Sequence, residues 1–458
     1  MSDVVMRYAD RLLPRYTSYP TAPHFKAEIG PRDYAAWLAA LPDGETLSLY
    51  FHVPFCRSMC WYCGCHTTVT RRDEPIARYL RALNAEIDLI AGYLRGKRTV
   101  SHIHFGGGTP TLMRPEQFLD LMAHVRERFS LAPDAEIAIE IDPRTLTSEM
   151  CAALAEGGVT RASLGVQSFD SRVQTAINRV QTFEQTRDAA HNLRRAGILA
   201  LNMDLLYGLP DQTVLSCIET AQKVLELAPD RLAVFGYAHV PGFKPHQRKI
   251  ADASLPDGET RHMQAEYIAA VLQTAGYQRI GLDHYARPSD PLAVAARTGT
   301  LHRNFQGYTT DDASALIGLG ASSIGRVPGG FVQNAVTIGD YLKAIESGSP
   351  ATIKGYALSQ EDRLRAAIIE RVMCDYTVDL ETVCKRFDVS PDEVLARSTP
   401  MLDTLVADGI AERSRYTIRV QNRARPLVRA VAAAFDQYLG QGQGQGQKQG
   451  QPRHARAV

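Results

Sequence analysis

Four of the 8 cysteines lie between positions 56 and 65, in FHVPFCRSMCWYCGCH: Cys56, Cys60, Cys63 and Cys65. So short a loop can wrap its thiolates around one metal centre, and thiolates suit iron–sulfur clusters or zinc. A structural zinc site usually pairs two separated knuckles, and no second Cys pair follows at a suitable distance. Cys60-Trp61-Tyr62-Cys63 also matches a redox CxxC pair, a reading that leaves Cys56 and Cys65 without a role. On spacing alone iron–sulfur, zinc and dithiol chemistry all stay open, and the extra thiols favour iron–sulfur. Cys151, Cys217, Cys374 and Cys384 are scattered through helix-like or mixed sequence, so a disulfide scaffold is not expected. A second feature is the run Phe105-Gly106-Gly107-Gly108-Thr109-Pro110-Thr111. It lacks the Lys-Ser/Thr ending of a P-loop and the GxGxxG spacing. The remaining reading is backbone without Cβ atoms, open to a ligand's amino group.

Strands and helices must hold these loops. Seven apolar runs centre near Leu49, Ile103, Ile139, Leu164, Met203, Val234 and Ile280. Between them, Ile76, Leu80, Leu83, Ile87, Ile90 and Leu94 form one helical stripe, and Phe118, Met122, Val125 and Phe129 another. Strands alternating with helices predict parallel βαβ units, hence a barrel-like or doubly wound α/β core. The alternation within the strands says more. LSLYFHV sets Leu47, Leu49, Phe51 and Val53 against Ser48, Tyr50 and His52, and EIAIEID sets three isoleucines against Glu140. ASLGVQ opposes Leu164 and Val166 to Gln167, and LNMDLL opposes Leu201, Met203 and Leu205 to Asn202 and Asp204. A parallel strand covered on both faces is nearly all apolar. The polar faces are therefore expected to line a lumen in which Tyr50, Glu140, Gln167 and Asp204 form a ligand site.

The strand–helix rhythm changes after roughly residue 355, where helical patterns surround IAERSRYTIRV, a small hairpin, and PLVRAVAAAFDQYL follows as a further helix. The pattern resembles a winged-helix module, more readily a lid or packing domain than a DNA-binding one. The expected organisation is a segment 1–45 covering the active site, a barrel domain 46–355, a helical domain 356–440 and a disordered low-complexity tail 441–458. With 51 Lys+Arg against 50 Asp+Glu, the net charge of +1 removes long-range attraction to nucleic acid. No stretch reaches the roughly 18 apolar residues of a membrane span. Asp3, Arg7, Asp10 and Arg11 interrupt any secretory core at the start, so a cytoplasmic protein is expected.

The CxxxCxxC loop after the first strand resembles that of the radical S-adenosylmethionine (SAM) enzymes, and the GGGTPT run in this order strengthens the likeness. Within them, residues from about 15 to 440 are similar to the oxygen-independent coproporphyrinogen III oxidase family. The motifs that carry the likeness include RYTSYPTA (Arg15 to Ala22), EIDP (Glu140 to Pro143), GVQSF (Gly165 to Phe169), DLLYGLP (Asp204 to Pro210) and YAHVPG (Tyr237 to Gly242). DHYARP (Asp283 to Pro288) and HRNFQGY (His302 to Tyr308) complete the series. The resemblance implies a partial TIM-type (β/α) radical-SAM barrel with a smaller, mainly helical, winged-helix-like C-terminal domain. The activity it implies converts two propionate side chains of coproporphyrinogen III to vinyl groups, giving protoporphyrinogen IX for haem. A 5′-deoxyadenosyl radical made from SAM at a [4Fe–4S] cluster would drive it.

Residue by residue, the resemblance makes Cys56, Cys60 and Cys63 the cluster ligands and Cys65 an additional cysteine outside that trio. It implies two SAM molecules. Tyr50, Gly107, Glu140 and Ile324 match contacts to the cluster-bound one. Tyr62, Gly108, Thr109, Gln167, Arg179, Asp204 and Ala238 match contacts to the second. Arg15, His302 and Arg303 are candidates for binding substrate propionates. No side chain is assigned as acid, base or nucleophile. The partners expected are coproporphyrinogen III and a low-potential electron donor such as flavodoxin or ferredoxin, with no nucleic acid, no membrane span and a monomeric state. Two rivals are a haem-binding chaperone of the same superfamily, which typically lacks the Cys63-x-Cys65 extension, and a zinc-stabilised module that binds nucleic acid. His102 and His104 read as ordinary strand histidines, and Asp283 with His284 as an acid–base pair or a ring-orienting hydrogen bond.

Overall fold

The computed structural model describes residues 11–439 together with positions 4, 7, 8, 455 and 456. Apart from Ala455 and Arg456, the tail expected at 441–458 lies outside the described residues. The core is a 12-stranded sheet. Its centre holds β1 (Leu47–Val53), β2 (Thr99–Gly107), β3 (Ser130–Ile141), β4 (Arg161–Gln167), β5 (Ala200–Tyr207) and β6 (Arg231–Gly236), each paired in parallel with the next. The main intervening helices are α1 (Glu74–Tyr93), α2 (Pro115–Arg128), α3 (Ser148–Glu156), α4 (Phe183–Arg195) and α5 (Val214–Glu226), with a short helix Ser171–Ala176 before α4. Of the barrel-like and doubly wound cores that the alternating pattern allowed, this is the partial (β/α) barrel that the resemblance implies.

Local sequence explains the helices. Pro75 and Pro115 occupy first-turn positions, where a missing N–H costs nothing. A capping box of Thr182 and Gln185 starts α4. Ile76, Leu80, Leu83, Ile87 and Ile90 bury the inner stripe of α1. It meets the outward strand faces, where Leu47, Phe51, Phe105, Ile139, Leu164 and Met203 share one apolar core.

The seventh apolar run departs from expectation. Gln278–Ile280 (β7) is a short strand that pairs antiparallel with β8 (His284–Ala286), itself antiparallel to β6. Gly281, at φ +56°, turns the chain straight back, so no crossover helix can follow. The further parallel strand is β9 (Ala315–Leu319), which lies beside β1. All its residues are buried, so it shows none of the alternation that marked the others. Three antiparallel strands, β10 (Ile324–Val327), β11 (Gly330–Asn334) and β12 (Thr352–Ala357), complete that edge.

Helices Gln360–Asp375, Leu380–Lys385 and Pro391–Ala407 pack with a 3-stranded sheet formed by Thr377–Asp379, Ala411–Ser414 and Thr417–Val420. The expected hairpin is present, and the order is that of a winged helix. The last expected helix contracts to Val428–Ala433 after a 3-10 turn over Asn422–Leu427. The first 45 residues divide between two cores. Tyr8, Leu13, Tyr16 and Tyr19 pack with Leu364, Ile368 and Phe435 of the C-terminal unit, whereas Tyr34, Leu38 and Leu41 join the barrel core. Among the described residues no helix is long and apolar enough to cross a membrane.

Candidate active site

Neighbouring strands in register present their side chains to the same face. Tyr50 stands opposite His104, Glu140 opposite Ser163, and Ser163 opposite Asn202. These polar positions therefore converge inside the barrel, around a cavity of about 170 Å³ walled by His104, Glu140, Ser163, Asn202 and Asp204 among others. Tyr50 reaches that cavity through His104, whose ring centroid lies 5.9 Å from its own. Gln167 ends β4 in a left-handed conformation, φ +69°, and is not part of the cavity wall.

Each lumen group is held. One Glu140 oxygen accepts the Gly107 N–H at 3.1 Å, and the other lies 3.4 Å from His104 Nε2. Asp204 accepts from Ser163 Oγ at 3.0 Å and Asn202 Nδ2 at 2.8 Å. Burial, reinforced by the Glu140 charge, raises its carboxyl to about 6. The Tyr50 hydroxyl lies 3.0 Å from His52 Nδ1, and His52 Nε2 lies 2.9 Å from the His66 carbonyl. A carbonyl only accepts, so Nε2 carries the proton and Nδ1 accepts from Tyr50. Burial lowers the pKa of His52, consistent with this neutral tautomer.

The cysteine loop leaves the end of β1. Phe55–Cys56 pairs in parallel with Thr68–Val69, which closes the loop at its base. The glycine run lies directly against it: Gly108 N–H donates to Val53 O at 3.0 Å, and Thr109 N–H to Phe55 O at 2.7 Å. A Cβ on Gly108 would come within 2.5 Å of Phe55 O, and one on Gly106 within 2.9 Å of Glu140 Oε1. Gly107 sits at φ +112°, under the His52 ring. The glycines therefore serve close approach, and the Gly107 and Gly108 N–H groups are used within the protein, so a ligand's amino group, itself a donor, would have to bond carbonyls of this run.

Arg144 Nη2 and Arg179 Nη1 each approach Cys60 Sγ at 3.7 Å, and Cys56 Sγ lies 3.6 Å from Thr109 Oγ1. Arg144 is itself gripped by Asp142 at 2.6 Å, while Arg179 donates to Gly165 O at 2.8 Å. Guanidinium N–H groups aimed at sulfur can donate to a sulfur that ligates a metal centre. The residues thus fit a thiolate-ligated cluster. Among the described residues no three His, Cys, Asp or Glu side chains are grouped so as to hold a metal ion, the Cys56, Cys60 and Cys63 thiols included.

The other face of the loop is clamped by the chain after β6. His246 Nε2 lies 2.8 Å from Cys63 O, Lys244 Nζ donates to Cys65 O at 2.9 Å, and Gln247 Nε2 donates to Tyr62 O at 3.0 Å. Gln247 also reaches Ala238 O at 3.3 Å, which brings Tyr62 and Ala238 together. Gly318 stands opposite Tyr50, and a Cβ there would meet the Ile324 carbonyl at 2.7 Å. Glycine at this point lets Ile324 approach the Tyr50 end of the lumen.

A larger cavity of about 480 Å³ opens beside the lumen, and Phe235 borders both. Arg15, Arg303 and Arg429 line it, with Asp283 and Tyr207. Arg303 donates to Arg15 O at 3.3 Å and lies 4.3 Å over the Tyr308 ring; its Nε and Nη1 are buried without a partner. Burial and the neighbouring Arg15 lower Arg429 to about 10. Burial alone would raise Asp283, but the His284 hydrogen bond, with Arg303 and Arg15 nearby, holds it at about 2. His302 lies outside both cavities, its Nδ1 3.2 Å from Glu370 Oε1. Sequence reasoning missed Arg144, although it directly follows the EIDP motif, and missed the clamp of Lys244, His246 and Gln247. Arg429 had no local signal, because only packing of the C-terminal unit carries it to the cavity.

The model of the Radical SAM superfamily matches residues 50–224, from β1 into α5. The oxygen-independent coproporphyrinogen III oxidase of Bradyrhizobium diazoefficiens is 55% identical over 457 residues, 100% of each chain. That of Escherichia coli is 40% identical over 93% of each. The solved structure of the Escherichia coli coproporphyrinogen III oxidase, described as a radical SAM enzyme, superposes with a TM-score of 0.89, covering 93% of this chain and 97% of that one. With such identity along its whole length, the chain belongs to the oxygen-independent coproporphyrinogen III oxidase family of radical SAM enzymes.

Proposed function

We propose that this enzyme oxidatively decarboxylates two propionates of coproporphyrinogen III to vinyl groups, giving protoporphyrinogen IX for haem. The carrying observation is a thiol loop set at the end of a polar lumen, beside a cavity walled by Arg15, Arg303 and Arg429. Cys56, Cys60 and Cys63 would hold a [4Fe–4S] cluster, which with SAM would supply the radical chemistry for the oxidation. Arg144 and Arg179 steady the Cys60 sulfur with N–H donors. Tyr50, Gly107, Glu140 and Ile324 hold the cluster-bound SAM.

A second SAM rests on Tyr62, Gly108, Thr109, Gln167, Arg179, Asp204 and Ala238. Support comes from the pre-organised carboxylates: Glu140 and Asp204 are each fixed by two partners before any ligand arrives. Charge-assisted bonds from Arg15 and from the unpartnered N–H groups of Arg303 orient the substrate carboxylates. We assign His302 no part in this, a reading supported by its Nδ1 contact with Glu370 and its place outside the cavity wall. A low-potential carrier such as flavodoxin or ferredoxin supplies the electron, and the enzyme works as a cytosolic monomer, where its thiols stay reduced.

Anaerobic reconstitution followed by incubation with SAM, dithionite and coproporphyrinogen III tests the reading. Release of 5′-deoxyadenosine and CO2 is expected. Deoxyadenosine without decarboxylation would discard the substrate, and haem binding without turnover would favour a carrier.

A further inference from the structure

We propose that the exposed cations on two flanks of the thiol loop, Arg248 and Lys249 on one and Arg71 and Arg72 on the other, dock a small acidic one-electron carrier. The inference rests on the cluster reading above and adds the place where the electron arrives. The chain as a whole is nearly neutral, at +1. Yet residues 54–72 and 240–251, the two stretches that border the thiol loop, contain Arg57, Arg71, Arg72, Lys244, Arg248 and Lys249 and no Asp or Glu. Arg57 is neutralised by Asp73. Among the described residues the other five carry no carboxylate ion pair, and Arg71, Arg72, Arg248 and Lys249 are exposed. Uncompensated like charge repels itself and invites an oppositely charged surface.

The position is as informative as the charge. Lys244 and His246 bond the carbonyls of Cys65 and Cys63, and Lys249 lies 5.4 Å over the Trp61 ring. A single layer of chain therefore separates this face from the sulfur ligands. Two apolar side chains break the charged surface: Phe243 is 57% exposed and Val69, paired with Cys56, is 42% exposed. Exposed apolar side chains among unpaired cations suit a transient protein interface, in which the charges mainly steer encounter. The balance is simple. The carrier loses one electron and the cluster site gains it, with no proton or bond exchanged.

The test compares two reductants on the reconstituted enzyme, reading 5′-deoxyadenosine formed from SAM. Arg71→Glu, Arg72→Glu and Arg248→Glu are combined in one variant, leaving the Lys244 and His246 clamp intact. With dithionite the variant should match wild type. With reduced flavodoxin its rate should fall about tenfold or more, and the wild-type rate should drop between about 0.05 and about 0.3 M salt while the variant's stays flat. Equal flavodoxin-supported rates, or a wild-type rate indifferent to salt, would overturn the proposal. Tight capture of duplex DNA at this face without competition by flavodoxin would also overturn it, in favour of a nucleic-acid surface. A wild type that cleaves SAM with neither reductant would sink the cluster reading itself.

Discussion

Replacing Gly108 by alanine should abolish cluster assembly while leaving the fold in place. The new Cβ would lie 2.5 Å from Phe55 O, 2.7 Å from Phe55 N and 2.8 Å from its carbonyl carbon. These are backbone atoms, and Phe55 cannot yield freely: its carbonyl accepts the Thr109 N–H at 2.7 Å and it pairs with Thr68. Restoring the closest contact to the ordinary 3.4 Å limit needs a shift of about 0.9 Å. Cys56 is the next residue, and metal–sulfur geometry tolerates only about 0.2 Å. Relief of such overpacking costs about 1–3 kcal/mol, too little to unfold a large barrel but enough to misplace one thiolate. The assay is iron and sulfide content with visible absorption after anaerobic reconstitution, next to thermal unfolding of the same sample. Gly92→Ala is the control, since its Cβ would meet nothing within 4 Å and alanine favours the helix by about 0.5–1 kcal/mol. A Gly108→Ala enzyme with full iron, native absorption and undiminished SAM cleavage would refute the argument that close approach, and not loop flexibility, demands glycine here.

Other consequences can be checked separately. Cys60→Ser should lose most of its iron on reconstitution, whereas Cys65→Ser, outside the ligand trio, should keep it. Arg303→Met should weaken coproporphyrinogen III binding by about 10- to 100-fold, the range expected for a lost charged hydrogen bond, with SAM cleavage in the absence of substrate unchanged. His302→Ala should leave that affinity alone and lower the Tm, because Glu370 loses one of its partners and keeps only Arg303 N–H and Arg371. Glu86 is 1% exposed and accepts from Gly320 N, Tyr341 Oη and Asn334 Nδ2, yet burial raises its carboxyl from 4.5 to about 7. The folded state thus binds the proton more tightly than the unfolded chain, so stability is greatest below about pH 4.5 for this group and declines as pH rises to about 7, by on the order of 3 kcal/mol. Denaturant unfolding across that range should show the slope in wild type and lose it in Glu86→Gln.

The residues that were legible in the linear chain share a short-range cause. The loop holding Cys56, Cys60 and Cys63 and the glycines that follow β2 are fixed by covalent spacing, and the lumen faces of β1, β3, β4 and β5 follow from the period of two. That period placed Tyr50, Glu140 and Asp204 on inward faces, and register then joined them. β9 escaped because burial on both sides leaves no alternation to read, and the run at Ile280 misled because Gly281 reverses it. Only the folded molecule could sort His302 from Arg303. They are adjacent on the strand His302–Asn304, so they must point oppositely, one to Glu370 and one to the cavity. Which side is the cavity depends on Arg15, 288 residues away, and on Arg429, which meets Leu13 across 416 residues. Chain connectivity sets neighbours along a strand, but convergence over such separations is set by the packing of whole units, and that is where the arginine-lined wall is made.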